Sequence, residues 1–375
     1  VHFNTVVVDF ESLYPSLIDS YNLSYETIDC DHDDDRENMV PGLEHYVCTR
    51  KRGVYSVLIG SLKNLRIHWF KPRAKDTTLT EEQRRLAEAT SELLKLILVS
   101  SYGVTVRMHG LARHSLAESM TAYGRYSLRT AWNITKEGGL HPIYGDTDSL
   151  FLEDPSEGQI EWLIKIVKER LKLDLAVQER YTLCVLPKVA KAYFGIKKDG
   201  TADIKGVTAI KSNSPNFVQN VFKDCVQELA RVRNQADYVK AKDRIKKVVW
   251  NAIKDLKAGK VPIKDLEYLV VIHEDPEEKV KEKALHQPYQ CAIQLIDSGK
   301  KVGAGEIMNF VKVKAFRYRE RNFTVKPTKL VKGFHEINVE DYVRNLRTAL
   351  NQTFKSMNLK FTDEEPTKRT LSDFL

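Results

Sequence analysis

Apolar positions along the 375-residue chain change period several times, and each change marks an element. Thr5-Val6-Val7-Val8-Asp9-Phe10 is a β-branched run without polar alternation, the pattern of a strand covered on both faces, and it ends in a carboxylate. Glu11 to Ser16 then turns the chain, with Pro15 suited to the first position of a helix through Leu17, Ile18 and Tyr21. The stretch Val54 to Leu65 is apolar, turns basic at Lys63, Arg66, His68, Lys71, Arg73 and Lys75, and is followed by Thr80-Glu81-Glu82, which opens a long helix to Ser101. Leu116, Met120, Tyr123, Gly124 and Leu128 recur at intervals of three or four, predicting a helix over 115–136 closed by Gly138-Gly139. Ile143-Tyr144 and Leu150-Phe151-Leu152 read as two short strands with Gly145-Asp146 at the turn between them, and a helix over 160–171 follows. A β-hairpin turns at Asp199-Gly200. Beyond Ser214-Pro215 the pattern is mostly helical, with strands over 268–273 and 310–315, a helix over 339–357, and a polar tail without apolar period from Lys360. The order strand, helical insertion, helix, hairpin, helix predicts an α+β fold: a sheet backed by helices, with an inserted helical hairpin.

The hairpin near residue 146 carries the first candidate chemistry. If the strand continued through Thr147, period-2 geometry would put Asp146 and Asp148 on one side, although a turn there can re-aim Asp146. Taken alone, a Gly-Asp hairpin is an ordinary surface turn. Asp9 gives it weight, because it stands at a strand end beside a turn rich in backbone N–H groups, a place to hold a metal and the phosphates bound to it.

These two segments resemble a known family. Asp9-Phe10-Glu11-Ser12-Leu13-Tyr14-Pro15-Ser16 is similar to the first palm motif of family B DNA polymerases, and Tyr144-Gly145-Asp146-Thr147-Asp148-Ser149 to their third, in the same order. Asn22 to Thr27 resembles the crenarchaeal replicative members. Lys95, eight residues before Gly103 and close to Tyr102, matches the lysine of the second motif, while Val99 stands where that motif has asparagine. Pro187 to Gly195 resembles the Lys-Lys-x-Tyr motif, with Ala190 in the first lysine position, Lys191 in the second and Tyr193 following; Lys205-Gly206 resembles the next element. The resemblance covers nearly the whole chain and implies a right-hand architecture: palm over 1–53 and 104–212, fingers over 54–103, a mostly helical thumb over 213–357, and a flexible tail over 358–375.

The family's chemistry is then expected at particular residues. Asp9 and Asp148 would be catalytic and hold two Mg²⁺ ions, helped by the carbonyl of Phe10 and, less centrally, by Asp146. Backbone N–H groups of Ser12, Leu13 and Tyr14 would face a deoxynucleoside triphosphate, with the Tyr14 ring excluding a 2′-hydroxyl. Lys95, Tyr102, Arg66 and Lys71 would complete the nucleotide site; Lys191, Tyr193, Lys205 and Gly206 would hold primer-template DNA. The resemblance implies a DNA-directed DNA polymerase adding deoxynucleotides to a primer 3′ end. Adjacent aspartates, usual at the hairpin of reverse transcriptases, are separated here by Thr147. Val99 and Ala190 motivate an alternative, a catalytically weakened paralogue acting as a DNA- or clamp-binding replisome subunit.

Two further expectations concern the ends. Family members normally carry a 3′ to 5′ exonuclease before the first palm motif, which here begins at Asp9, so the chain is expected to lack one: either it is a fragment, or the missing half is a separate amino-terminal exonuclease subunit. At the other end Lys368 to Leu375 resembles the peptide by which replication proteins bind the sliding clamp, with Leu371, Phe374 and Leu375 as apolar anchors and Lys368 where glutamine is preferred.

Composition agrees with this picture. Net charge is +8, suited to a polyanionic partner, and residues 223–260 contain 11 Lys or Arg against 5 Asp or Glu. No apolar run approaches the ~20 residues of a membrane span. Cys30, Cys48, Cys184, Cys225 and Cys291 are odd in number and scattered, which predicts a reducing compartment and no zinc knuckle, while the resemblance implies a cytoplasmic, nucleoid-associated protein. The acidic run Asp29 to Asp35 is expected to be a solvated insertion without a role.

Overall fold

The computed structural model describes residues 1–32, 36–232, 235–282 and 284–361, so the clamp-like peptide with Leu371, Phe374 and Leu375 lies outside the described residues. The chain forms two compact units, Asn4–Arg180 and a second made of Val1–Phe3 with the chain from Tyr181 onward; the division falls inside the stretch 104–212 expected as palm.

In the first unit, strand β1 (His2–Phe10) buries Val6, Val7 and Val8 almost completely, as its unalternated sequence requires. Helix α1 (Leu13–Ser20) follows, with Leu17 and Ile18 fully buried. The chain then runs through a helical insertion: α2 (Val54–Asn64), a π-helical stretch Leu65–Phe70, the single turn α3 (Lys71–Arg73) and α4 (Glu81–Arg107). Helix α4 begins where the sequence places it, because Thr80 and Gln83 form a reciprocal capping box. It runs six residues beyond Ser101, with Gly103 inside the helix. Helix α5 (His114–Glu137) ends at Gly138.

The hairpin consists of β2 (His141–Asp146) and β3 (Ser149–Glu153), and β3 also pairs antiparallel with β1, setting Val7 opposite Phe151 and Asp9 opposite Ser149. Helix α6 (Glu157–Leu171) is capped by a second box, Ser156 with Gln159. Leu17, Leu116, Met120, Leu150, Leu152 and Leu163 form one core between the helices and the strands. At about 25 cal/mol per Å² of apolar area removed from water, this packing supplies the rigidity that fixes the strand ends.

Strand β4 (Leu175–Val185) leads into the second unit, where it pairs with β5 (Tyr193–Ile196), which pairs with β6 (Ala202–Lys205). Helices α7 (Asn216–Ala230) and α8 (Gln235–Lys257) pack together, with Ile245, Val249, Ile253 and Leu256 of α8 at helical spacing and buried. A second sheet orders β7 (Tyr268–Val271), β8 (Ile307–Tyr318) and β9 (Arg321–Pro327). Between β7 and β8 the chain forms α9 (Pro276–Lys279) and α10 (Gln287–Asp297); Cys291 of α10 shares a small core with Met308 and Val325. Helix α11 (Val339–Phe354) closes the unit with Phe354 against Phe194 and Phe222, at ring centroid distances of 6.1 and 5.5 Å. Strand β9 is not evident from the sequence, since its seven residues offer only Phe323 and Val325 as apolar anchors before Pro327.

Candidate active site

The two motifs meet through backbone. The Phe10 N–H donates to the Asp148 carbonyl at 2.9 Å, and the Glu11 N–H to the Asp174 carbonyl at 2.9 Å, so the end of β1 is held on both sides. Asp9 lies one residue before this anchor, opposite Ser149 in register, and its carboxylate is brought beside that of Asp148. Asp9 Oδ1 is buried and has no hydrogen-bond partner among the described residues. Burial first, and then the negative charge of Asp148, push the Asp9 carboxyl up to about 7, against the opposing effect of the Phe10 N–H.

The turn differs from the sequence expectation. The strand does not continue through Thr147, which takes a left-handed conformation at φ 52°, so Asp146 ends β2 while Asp148 sits in the turn. The tip is then locked by short bonds. Asp148 N–H donates to the Asp146 carbonyl, Ser149 Oγ to the same carbonyl at 3.2 Å, and Thr147 Oγ1 to Asp146 Oδ1 at 3.1 Å. The period-2 argument fails because a two-residue turn interrupts the strand between the two carboxylates.

Beside Asp9, Ser12 is also left-handed, at φ 52°, and redirects the chain into α1. The helix begins at Leu13, so Pro15 is its third residue and not its first. The amides of Leu13 and Tyr14 are in the first turn, at the positive end of the helix dipole. Ser16 Oγ donates to the Glu11 carbonyl at 2.9 Å and closes the turn. The Tyr14 ring stacks on Tyr102 of α4, with centroids 5.2 Å apart and planes 23° from parallel. Tyr14 and Tyr102 are thereby joined across 88 residues of sequence.

Lys95, Val99 and Tyr102 are spaced i, i+4 and i+7, on one face of α4, beside the buried row Leu94, Leu98 and Ser101. Val99 is 71% exposed, and Lys95 pairs with Glu92 of its own helix at 3.4 Å. Arg66 donates through Nε to the Ser91 carbonyl at 3.2 Å, within the helical insertion. Lys71 pairs with Glu11 at 2.5 Å, which brings it to the turn after Asp9. Lys63, part of the basic run read from the sequence, is buried and paired with Asp19 at 3.0 Å; it belongs to the packing of α2 on α1. Glu11 as a partner of Lys71 was not foreseen, because nothing in the linear sequence couples positions 60 apart.

In the second unit Tyr193 and Lys205 are cross-strand partners on β5 and β6. Lys191 is exposed and left-handed at φ 60°. Gly206 follows β6 at φ 63°, and a Cβ there would come within 1.8 Å of the Lys191 carbonyl oxygen. The four residues therefore form one local group, with the Lys191 backbone resting on Gly206.

A family model described as DNA polymerase family B matches residues 2–357. The chain belongs to DNA polymerase family B. Among curated relatives it is 34% identical to DNA polymerase 1 of Sulfolobus acidocaldarius over 97% of this chain and 41% of that protein. It is 30% identical to DNA polymerase 1 of Aeropyrum pernix over 97% of this chain and 37% of that one. The chain is also similar to the solved family B DNA polymerase of Pyrobaculum calidifontis, at 26% identity and a TM-score of 0.71, covering 96% of this chain and 46% of that structure. This family B chain thus spans about two fifths of the length of the curated relatives it matches. Its resemblance to the archaeal, crenarchaeal-type members is supported along nearly its full length, and the mixed helical and antiparallel-sheet fold accords with the family. Among the described residues no helix is long and apolar enough to cross a membrane.

Proposed function

We propose that the chain is the catalytic portion of a DNA-directed DNA polymerase that extends a primer 3′ end with deoxynucleotides by two-metal nucleotidyl transfer. The observation that carries this reading is the juxtaposition of Asp9 and Asp148 at the ends of β1 and the β2–β3 turn, with one Asp9 oxygen buried and unbonded. A buried carboxylate oxygen without a donor, on a group raised in pKa by burial and then by a second carboxylate, fits a site that receives a hard cation. Asp9 and Asp148 would hold two Mg²⁺ ions, with the Phe10 carbonyl and Asp146 as further oxygen donors. When bound, such ions lower the pKa of the attacking hydroxyl and neutralise charge on the leaving pyrophosphate.

The chain's own residues do the rest. The first-turn amides of α1 and the Ser12 turn bind triphosphate oxygens. Tyr14, braced by Tyr102, positions the sugar and excludes a 2′-hydroxyl by its volume. Lys95, with Arg66 and Lys71, offsets the charge of the triphosphate, and this requires Lys71 to exchange Glu11 for phosphate. Lys191, Tyr193, Lys205 and Gly206 contact the primer-template backbone, and the excess of cations over 223–260 adds a sequence-independent grip. The Lys368 to Leu375 peptide would dock a sliding clamp. Primer extension by the purified chain with Mg²⁺ and the four deoxynucleotides tests the reading; DNA binding without extension at any Mg²⁺ concentration would instead favour the weakened paralogue.

A further inference from the structure

Between α1 and α2 the chain forms a compact loop with a side-chain cluster that polymerisation does not use. Cys30, His32 and Cys48 each offer one ligand atom, and these atoms all lie within 4.8 Å of one another. The Cys48 Sγ to His32 Nδ1 distance is 3.5 Å. In a tetrahedral zinc site with Zn–S of about 2.3 Å and Zn–N of about 2.05 Å, the sulfur-to-nitrogen edge is about 3.6 Å. The observed edge is the one that such an ion would span.

The backbone presents the three donors without depending on an ion. Ile28 and Val47 form an antiparallel bridge, the Cys48 N–H donates to the Thr27 carbonyl at 2.8 Å, and the Asp29 N–H to the Tyr46 carbonyl at 3.0 Å. Tyr46 Oη donates to the Cys30 carbonyl at 2.7 Å, which fixes the residue that turns its sulfur toward the opposite arm. The two cysteines thus come from the two arms of one small ladder, and His32 follows Cys30 by two residues. Asp29 and Asp31, which flank Cys30, add negative charge that favours a cation. Two soft thiolates with one imidazole select zinc over magnesium.

We infer that Cys30, His32 and Cys48 bind one zinc ion, leaving one tetrahedral position for water or another donor. The ion ties the two arms of the loop together. The same loop is attached to the start of α2: Asn22 Nδ2 donates to the carbonyls of Cys48 and Lys51 at 2.9 and 2.7 Å, and Asn22 Oδ1 accepts from the Gly53 N–H at 2.7 Å. Zinc would therefore brace the loop from which the helical insertion departs, a structural role separate from the carboxylate site. The site is not the knuckle that cysteine spacing would have to supply, since the ladder brings together residues that their sequence spacing separates.

The full chain, purified reduced and free of chelator, is titrated with Co²⁺ and, separately, analysed for zinc content. The expected result is one tightly held ion per chain with an intense thiolate-to-cobalt charge-transfer band, unaffected by excess Mg²⁺. Carboxylates such as Asp9 and Asp148 give no such band, so the signal reports this site alone. His32→Ala and Cys48→Ser should each lose the band and the zinc, whereas Cys291→Ser keeps both; circular dichroism checks that His32→Ala remains folded if Cys48→Ser does not. Absence of the band from the reduced wild-type chain, or its persistence in folded His32→Ala, overturns the proposal. So does a chain isolated metal-free with a Cys30–Cys48 disulfide that binds no zinc after reduction.

Discussion

The N–H of Phe10 donates to the carbonyl of Asp148 at 2.9 Å, so the two motifs share a backbone hydrogen bond one residue after Asp9 and at Asp148 itself. This bond does not involve either side chain. Asp9→Ala and Asp148→Ala should therefore leave the strand register intact while lowering Mg²⁺-dependent primer extension by about a thousandfold or more. DNA affinity should change little. Extension at wild-type rate by either folded variant, measured on a short primer-template, would sink the assignment.

The raised pKa of Asp9 gives the metal-free chain a defined pH response. Its carboxyl moves from 3.8 to about 7 on folding, so the folded state holds the proton more tightly. The stabilisation from this group is fully present below about pH 4 and is lost as the pH rises through about 7. In chelator, Asp9→Asn should accordingly be more stable than wild type at pH 8 by about 1–2 kcal/mol, after a discount for the solvent that reaches the site. The difference should shrink toward pH 4. Thermal melts of both chains across that range would show a constant gap if burial and Asp148 did not perturb Asp9.

Tyr14 and Tyr102 are stacked at 5.2 Å, and the pairing sets how firmly the sugar position is walled. Tyr14→Ala should raise the ratio of ribonucleotide to deoxynucleotide incorporation by about tenfold or more, with Tyr102→Ala giving a smaller rise because it removes only the support. Single-nucleotide kinetics with matched ribo and deoxy substrates decide this. An unchanged ratio in Tyr14→Ala removes the gate.

Much of this arrangement is legible in the linear chain, and the exceptions share a cause. Strand β1 and helices α4, α5 and α6 follow from unalternated apolar residues, a capping box and helical spacing, all local signals. Asp9 and Asp148 stand out because short motifs place carboxylates at strand ends. What the sequence does not carry is long-range pairing: Lys71 with Glu11, Lys63 with Asp19, and the convergence of Cys30, His32 and Cys48. Each depends on how the insertion folds back, and no periodicity encodes that. The turn at Thr147 is hidden in the sequence for a subtler reason, since a threonine at positive φ is unfavourable by itself and is retained here by the bonds around Asp146.

Gly206 carries the Lys191 carbonyl 1.8 Å from where a Cβ would be. Gly206→Ala should force the loop off β6 and destabilise the fold by roughly 1–3 kcal/mol, combining strain at positive φ with the clash. Primer-template affinity should fall with it, while Asp199→Ala, in the exposed turn of the same hairpin, should leave affinity unchanged. Filter binding with both variants separates a local effect at Lys191 from a general weakening of the hairpin.

Removal of Leu371 to Leu375 should leave basal extension on short templates unchanged and eliminate stimulation by a sliding clamp. The apolar anchors gain nothing from water and would bind a hydrophobic pocket. Equal loss of both activities would show instead that these residues serve the folded chain.

Asp19 accepts from both Arg52 and Lys63, at either end of the first eleven-residue helix of the insertion, and Ser56 Oγ donates to the Ile18 carbonyl at 2.7 Å between them. That helix is bolted to α1 at three places along its inner length, whereas the π-helical stretch Leu65–Phe70 just beyond it contains no buried residue. Mechanically the insertion is a lever clamped at its root. A π-helical segment departs from the regular α-helical hydrogen-bond ladder, a departure found most often at functional sites. Closure over a nucleotide would therefore bend the arm beyond Lys63 and leave the clamped root, and the strand end carrying Asp9, unmoved.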